Sequence, residues 1–255
     1  MKLILLLVTW NLSTLAHSAV IDSSNHIRFW RGYKQDTVGH QQFIDNITSV
    51  LMPMTVEVGA GKGLIGYLPS VLPENKPSFL PDEIAIISYE TLEKYKTLTQ
   101  TEEWKIYGPL HYKEGYFSKV NKEGRASGSL VVEEFIEEKY IFDKAPLALK
   151  VSLIDGHLQQ YDNDIQFLGF ISGADKNECI NTFLGNAKSK ILKQDGFMGV
   201  TVLYDVDYLI VISSRLENSD QSLLLDSNCF QLLYKDSYLN QHQMENHPSS
   251  VNFQF

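Results

Sequence analysis

Apolar and polar positions along the chain follow first a strand period and then a helix period. Residues 26–34 are rich in aromatic side chains and alternate in part, which predicts a strand. Apolar residues between positions 43 and 51 recur at helical spacing and predict a helix that starts near Val38. Pro53 is expected to end this helix, because proline disfavours helical geometry in the residue before it, and β-prone residues 54–58 follow.

The next elements complete a recognisable order. Residues 64–72 are apolar but contain Pro69, which is typical of an edge strand, and residues 83–89 form a nearly continuous apolar strand. Helical spacing resumes after Thr91, and a closing strand is available within residues 130–142. The order strand, helix, strand, strand, helix, strand is the ferredoxin-like β-α-β-β-α-β order.

The second half of the chain can be interpreted in the same way. Its predicted strands are residues 147–154, 165–172, 198–204, 208–214 and 229–234, and its predicted helix runs from Asp175 to about residue 194. A second helix would be only vestigial. We therefore predict an α+β fold of two ferredoxin-like units with antiparallel sheets.

The predicted domain organisation follows from these elements. Residues 26–120 form the first unit, residues 121–146 a linker with the closing strand, residues 147–240 the second unit, and residues 241–255 a flexible polar tail.

The N-terminus has the pattern of a secretory signal peptide over residues 1–18. Lys2 supplies a positive start, residues 3–8 are uninterruptedly apolar, and Ala16 and Ser18 put small residues at the cleavage signal. The apolar run is shorter than the roughly 20 residues needed to span a bilayer. We expect a mature protein that begins near Ala19, has no membrane span and is secreted or periplasmic.

Composition narrows the range of partners. The chain has 255 residues and a formal charge of −9, so it repels nucleic acid phosphates, and we expect no nucleic-acid partner. Cys179 and Cys229 are its two cysteines. An exported compartment permits a disulfide between them, which would join the predicted long helix to the last strand. Two separate buried thiols are the alternative.

Three segments of the first half, HIRFWRGYK (26–34), DEIAIISYE (82–90) and TLEKYKTLTQTEEWKIYGPLH (91–111), resemble one unit of the dimeric α+β-barrel superfamily. In that superfamily two ferredoxin-like units join their sheets into a barrel, and two units in one chain would form the barrel within a monomer. Members of that superfamily include small monooxygenases, decarboxylating or dehalogenating enzymes, haem-handling proteins and stress-response proteins. The resemblance implies a function of one of these kinds.

Few residues carry recognisable chemistry. The G-x-G-x-x-G pattern of residues 61–66 precedes a proline-containing strand rather than a helix, which excludes a dinucleotide site. His111 lies among aromatic residues, where it could act as a general base, ligate haem or simply end a helix. Arg31 could point into the barrel and bind a carboxylate there, in which case Trp30 lies on the opposite face of the strand. The alternative is that Arg31 is exposed.

These observations leave two hypotheses. The first is an exported protein that binds a small apolar or anionic ligand, or a protein partner, with no cofactor. The second is a small α+β-barrel enzyme, either a cofactor-independent oxygenase or a haem-dependent one. If there is a pocket, we expect it in the first unit, lined by Arg31, Tyr33, Tyr89, Trp104 and His111. No metal site is predicted.

Overall fold

The computed structural model describes most of the chain between Asn25 and Ser237. The described residues are 25–137, 139–142, 146–152, 162–193, 196–216 and 225–237. The predicted signal peptide and the predicted C-terminal tail lie outside them.

The first half contains four strands and a set of helices. In chain order these are β1 (His26–Gly32), α1 (His40–Asn46), a π-helical segment (Ile47–Leu51), α2 (Met52–Gly59), β2 (Leu64–Val71), β3 (Glu83–Tyr89), α3 (Leu92–Leu98), α4 (Glu102–Leu110) and β4 (Gly128–Glu134). The second half continues with β5 (Leu147–Ser152), β6 (Asp162–Phe170), α5 (Lys176–Leu192), β7 (Phe197–Tyr204), β8 (Tyr208–Arg215) and β9 (Phe230–Ser237).

The described strands form one nine-stranded sheet in the order β2-β3-β1-β4-β5-β7-β8-β6-β9. The order β4-β1-β3-β2 of the first half is the order produced by a β-α-β-β-α-β unit, and β9-β6-β8-β7 repeats it in the second half. The extra strand β5 lies between the two sets, parallel to β4 and antiparallel to β7. The predicted α+β class with two ferredoxin-like strand orders is confirmed, whereas the exact domain boundaries stay a prediction.

The two halves of the sheet pack against each other through one shared face. Phe29 and Ile86 of the first half belong to the same buried cluster as Phe167 and Ile210 of the second, and each is at most 1% exposed. Because these strands are far apart in the sheet order, the sheet must curl to bring them together. The interior that an α+β barrel would have is therefore a packed apolar core.

Helices cover the outer faces of both halves. The helices of the first half pack on β1, β2 and β3 around a second buried cluster, and α5 packs on the strands of the second half around a third. Asp175 caps α5, since its side chain accepts hydrogen bonds from the backbone N–H groups of Asn177 and Glu178. The helix predicted from Asp175 is confirmed. No described helix is both long and apolar enough to cross a membrane.

The prediction that Pro53 ends the first helix is wrong. Helical structure continues through Pro53 to Gly59, and residues 54–58 are helical rather than extended. Pro53 occupies the first turn of α2, directly after the π-helical segment. In the π-helical segment the Met52 N–H bonds to the carbonyl of Ile47, five residues back. The regular i→i−4 ladder, which a proline interrupts, is therefore already altered directly before Pro53.

The two cysteines are joined. Cys179 of α5 and Cys229, which directly precedes β9, form a disulfide with their Cα atoms 5.6 Å apart. The bridge links the long helix of the second half to its last strand, as predicted. Disulfides of this kind are typical of oxidising compartments outside the cytoplasm.

Candidate functional site

An aromatic cavity lies in the first half, between the sheet and the helices that cover it. Because side chains alternate along a strand, Arg28 and Trp30 of β1 face the helices, as do Glu83 and Tyr89 of β3. The cavity has a volume of about 130 Å³. A cavity of roughly 150 Å³ is large enough to admit a benzene molecule, so this one suits a ligand of about one ring.

Aromatic side chains form most of the cavity wall. They are Trp30, Tyr67, Tyr89, Tyr95, Trp104, Tyr107, Tyr112 and Phe117. The rings pack at an angle to one another: the centroids of Tyr89 and Tyr95 are 4.9 Å apart, and those of Trp104 and Tyr107 are 5.4 Å apart. Contacts of this kind fix the ring orientations, so the wall is largely formed before any ligand arrives.

Glu83 is the acidic group of the cavity. It is 4% exposed, and its Oε2 accepts a hydrogen bond of 2.8 Å from the indole Nε1–H of Trp30. Burial raises the pKa of Glu83 to about 8, and the Trp30 hydrogen bond offsets only part of that effect. At neutral pH, with no ligand, the carboxyl is therefore mostly protonated.

His111 is the basic group of the cavity. It follows directly after α4, and its Nδ1 lies 3.3 Å and 3.2 Å from the carbonyl oxygens of Tyr107 and Gly108. Carbonyl oxygens only accept, so Nδ1 carries the proton and Nε2 is left as the acceptor. Burial lowers the pKa of His111 below 6.5, which keeps the imidazole neutral at pH 7. Its ring centroid lies 5.0 Å from that of Trp30.

Tyr107 closes the floor of the cavity. The hydroxyl of Thr55 donates to the backbone carbonyl of Leu51 at 2.8 Å, so the 2.6 Å contact between Thr55 and Tyr107 is donated by the phenol. Burial raises the pKa of Tyr107 above 10, which keeps this donor protonated. The hydroxyl is thus committed to the protein and not to a ligand.

Arg28 lies at the half-exposed rim. Its Nε donates to the hydroxyl of Ser129 at 2.9 Å and one terminal nitrogen donates to the Ser129 carbonyl at 3.1 Å. The guanidinium carbon also lies 4.8 Å from the centroid of the Tyr95 ring, a cation–π contact. The positive charge is therefore held at the entrance rather than beside Glu83.

Arg31 and Tyr33 lie on the opposite face of β1, away from the cavity. Arg31 is 5% exposed and forms a close ion pair with Asp205, from the turn between β7 and β8. The hydroxyls of Tyr33 and Tyr208 are 2.8 Å apart. Arg125 completes the network with a 3.2 Å contact to Asp205. Arg31 thus binds a carboxylate of the chain itself. The alternative that Arg31 is exposed is wrong.

The structure therefore divides the five predicted pocket residues between two sites. Tyr89, Trp104 and His111 line the cavity, whereas Arg31 and Tyr33 belong to the network between the two halves of the chain. Trp30 and Arg31 do face opposite sides of the strand, as the alternation predicts.

Sequence reasoning missed Glu83, the group that most sets this cavity apart. The signal was present, because Glu83 lies six residues before Tyr89 in one strand and residues an even number apart share a face. An acidic residue at the start of a strand is ordinarily interpreted as solvated, and only the covering helices reveal its burial.

Haem does not fit this cavity. Its volume of about 130 Å³ is well below the roughly 300–1,000 Å³ of pockets for drug-sized ligands, and a porphyrin is larger still. Among the described residues there is also no group of three or more His, Cys, Asp or Glu side chains placed to hold a metal ion.

A second cavity of about 350 Å³ lies beside the disulfide. Its acidic residues, Asp175, Glu178 and Asp226, are exposed, and Asp175 and Asp226 already accept backbone hydrogen bonds. Because its charged side chains are solvated, it is a weaker candidate for a ligand site.

No protein-family model matches the sequence, and no curated protein matches it. Several solved structures are similar to parts of the chain. A candidate monooxygenase from Fusobacterium nucleatum subsp. nucleatum ATCC 25586 is 9% identical over 84% of this chain and 94% of its own, with a TM-score of 0.42. An anthrone oxidase-like protein is 10% identical over 85% and 94%, with a TM-score of 0.36.

A shorter protein matches part of the chain. This EthD family protein from Bacillus halodurans C-125 is 16% identical over 43% of this chain and 99% of its own, with a TM-score of 0.33. All of these TM-scores are below 0.5. At these identities the similarity carries no conclusion about activity.

Proposed function

We propose that this protein is exported and binds a small molecule, about the size of one aromatic ring, in the cavity beneath α4. The observation that carries the proposal is an aromatic wall that encloses two polar atoms with no hydrogen-bond partner among the described residues, Oε1 of Glu83 and Nε2 of His111. Ligand sites typically combine apolar walls with a few polar groups of this kind.

The alternative of an anionic ligand loses its main support. It depended on Arg31, whose charge is neutralised by Asp205 on the other face of the sheet. The remaining positive group, Arg28, is at the rim and is engaged by Ser129. A ligand that enters the cavity meets an acidic group and a neutral imidazole instead.

Export is supported by two independent features. Residues 1–18 have the pattern of a cleavable leader, and the Cys179–Cys229 bridge suits an oxidising compartment. N-terminal sequencing of the protein from its own host should find a chain that begins near Ala19. A retained Met1 on the exported protein would contradict the leader.

Binding can be tested by native mass spectrometry of the protein purified from its host, followed by titration with one-ring compounds. We expect Trp104→Ala and His111→Ala to abolish ligand retention, because both residues line the cavity. Ile106→Ala is a matched control, since Ile106 is 66% exposed on the outer side of the same helix. Unchanged retention in both cavity variants would disprove this site.

A second candidate function is an enzyme that removes a proton from a bound ligand. It is favoured by Nε2 of His111, a neutral acceptor in an enclosed cavity that also holds the carboxylic acid of Glu83.

The test is hydrogen–deuterium exchange at an acidic C–H bond of a one-ring ketone. Catalysed exchange that is lost in His111→Gln, which keeps a polar side chain of similar size but no imidazole base, with ketone binding retained, would support an enzyme. Exchange at the rate of the buffer would leave binding as the function.

A further inference from the structure

Glu83 has a feature that general small-molecule binding does not explain. Its carboxyl is buried and lines the cavity, yet only burial and the Trp30 hydrogen bond act on it, and no basic side chain contributes. Buried carboxyl groups are almost always paired, since an unpaired one is costly. The indole N–H that it accepts is the kind of partner that favours a carboxylate.

The walls around Glu83 have the electrostatic character that suits a cation. The face of an aromatic ring carries partial negative charge and attracts ammonium and guanidinium groups. One ring of this wall already does so, because Arg28 lies 4.8 Å from the centroid of Tyr95. The formal charge of −9 on the whole chain also favours the approach of a cation.

We propose that the cavity binds a small methylated ammonium ion, whose positive charge pairs with Glu83 and contacts the faces of Trp30 and Trp104. This inference rests on the proposed function and names the ligand class for the same cavity. The size agrees, because a trimethylammonium group is comparable with one ring and the cavity has about 130 Å³.

The supply of acceptors favours a methylated ammonium over a primary one. A primary ammonium brings three N–H donors. Each of these donors must give up a hydrogen bond to water and find an acceptor on a largely aromatic wall. A quaternary ammonium has no N–H donor and needs only the opposite charge and the aromatic faces.

The experiment compares choline with 3,3-dimethylbutan-1-ol, which has the same shape but no charge. Binding is followed by tryptophan fluorescence, since Trp30 and Trp104 both line the cavity. We expect choline to bind at least about tenfold more tightly than the neutral alcohol, in line with a desolvated cation–π contact.

Glu83→Gln tests the charge pair. Glutamine keeps an oxygen that accepts from Trp30, so the fold should be retained, and the preference for choline should fall to about equality with the alcohol. Glu57→Gln is the matched control, because Glu57 is exposed on α2 and removes the same charge at the surface. Trp104→Leu supplies a second variant that should weaken choline more than the alcohol.

The outcomes separate this inference from the proposed function. Equal affinity for choline and the alcohol in the unmodified protein would overturn the ammonium proposal and leave small-molecule binding intact. A preference for choline that survives in Glu83→Gln would overturn the role of Glu83. Failure to bind choline, the alcohol and all one-ring compounds would remove both proposals.

Discussion

Replacing Glu83 by glutamine should change how the stability of the protein depends on pH. In the native state burial raises the pKa of Glu83 to about 8, whereas the unfolded chain has the usual value of 4.5. Between these values the unfolded state releases the proton and the native state keeps it. The free energy of unfolding therefore falls as the pH rises through this window.

The size of the effect follows from the gap between the two pKa values. At about 1.4 kcal/mol for each pH unit, Glu83 should cost the native protein about 3 to 4 kcal/mol between pH 5 and pH 8. This is a large share of the roughly 5–15 kcal/mol that stabilises an ordinary domain. Glutamine cannot ionise, so the variant should lack this loss and become the more stable protein near pH 8.

The assay is urea unfolding of both proteins at several pH values from 5 to 9, with the disulfide intact. The informative quantity is the difference between the two unfolding free energies, because titration of His111 and of the other groups common to both proteins largely cancels in it. Glu57→Gln should run parallel to the unmodified protein. Parallel curves for Glu83→Gln as well would show that Glu83 is solvated in the native state, and the argument for an unpaired buried acid would fail.

Three further predictions concern the other groups. Asp205→Asn should destabilise the protein by about 3–5 kcal/mol in urea unfolding, because it leaves Arg31 buried without its carboxylate. Adding Arg31→Met to the same chain should recover part of the loss. A loss below about 1 kcal/mol would show that the ion pair is in contact with water. Reduction of Cys179–Cys229 should lower the unfolding free energy by roughly 4 kcal/mol, since the bridge spans a sequence separation of 50 residues; two free thiols in the native protein would refute the bridge. NMR titration of His111 should give a midpoint below pH 6.5. The free energy of unfolding should decline as the pH falls below that value, because the unfolded state takes up the proton first. A midpoint above 6.5 would contradict the burial of His111.

Local patterns account for the parts of the fold that could be predicted. The strand order emerged because each ferredoxin-like unit is built from neighbouring segments with clear periodicity. Asp175 indicated the start of α5, because an aspartate side chain can cap a helix. The alternation of side chains along β1 predicted that Trp30 and Arg31 lie on opposite faces. Pro53 misled the same reasoning, because its effect depends on the π-helical segment just before it, and the residues there have ordinary helical spacing.

Non-local contacts account for what was missed. Arg31 pairs with Asp205, which is 174 residues away in the sequence, and the pairing requires the sheet to curl. Spacing along the chain carries no information about such a contact. Glu83 was missed for a related reason, since its burial depends on helices that precede and follow it.

The two faces of the sheet near β1 show that a buried ionisable group without an opposite charge indicates a ligand site better than the type of residue alone does. On the inner face, Arg31 looks like an anion-binding group, but Asp205 satisfies it within the chain, and a ligand there would have to displace a buried ion pair. On the outer face, Glu83 has a hydrogen bond but no opposite charge, and it borders a cavity that a small molecule can enter. Only on that face does the free energy of the site improve when a cation arrives. If selection acts on ligand binding, the burial of Glu83, which weakens the empty protein above pH 5, has a physical reason to persist.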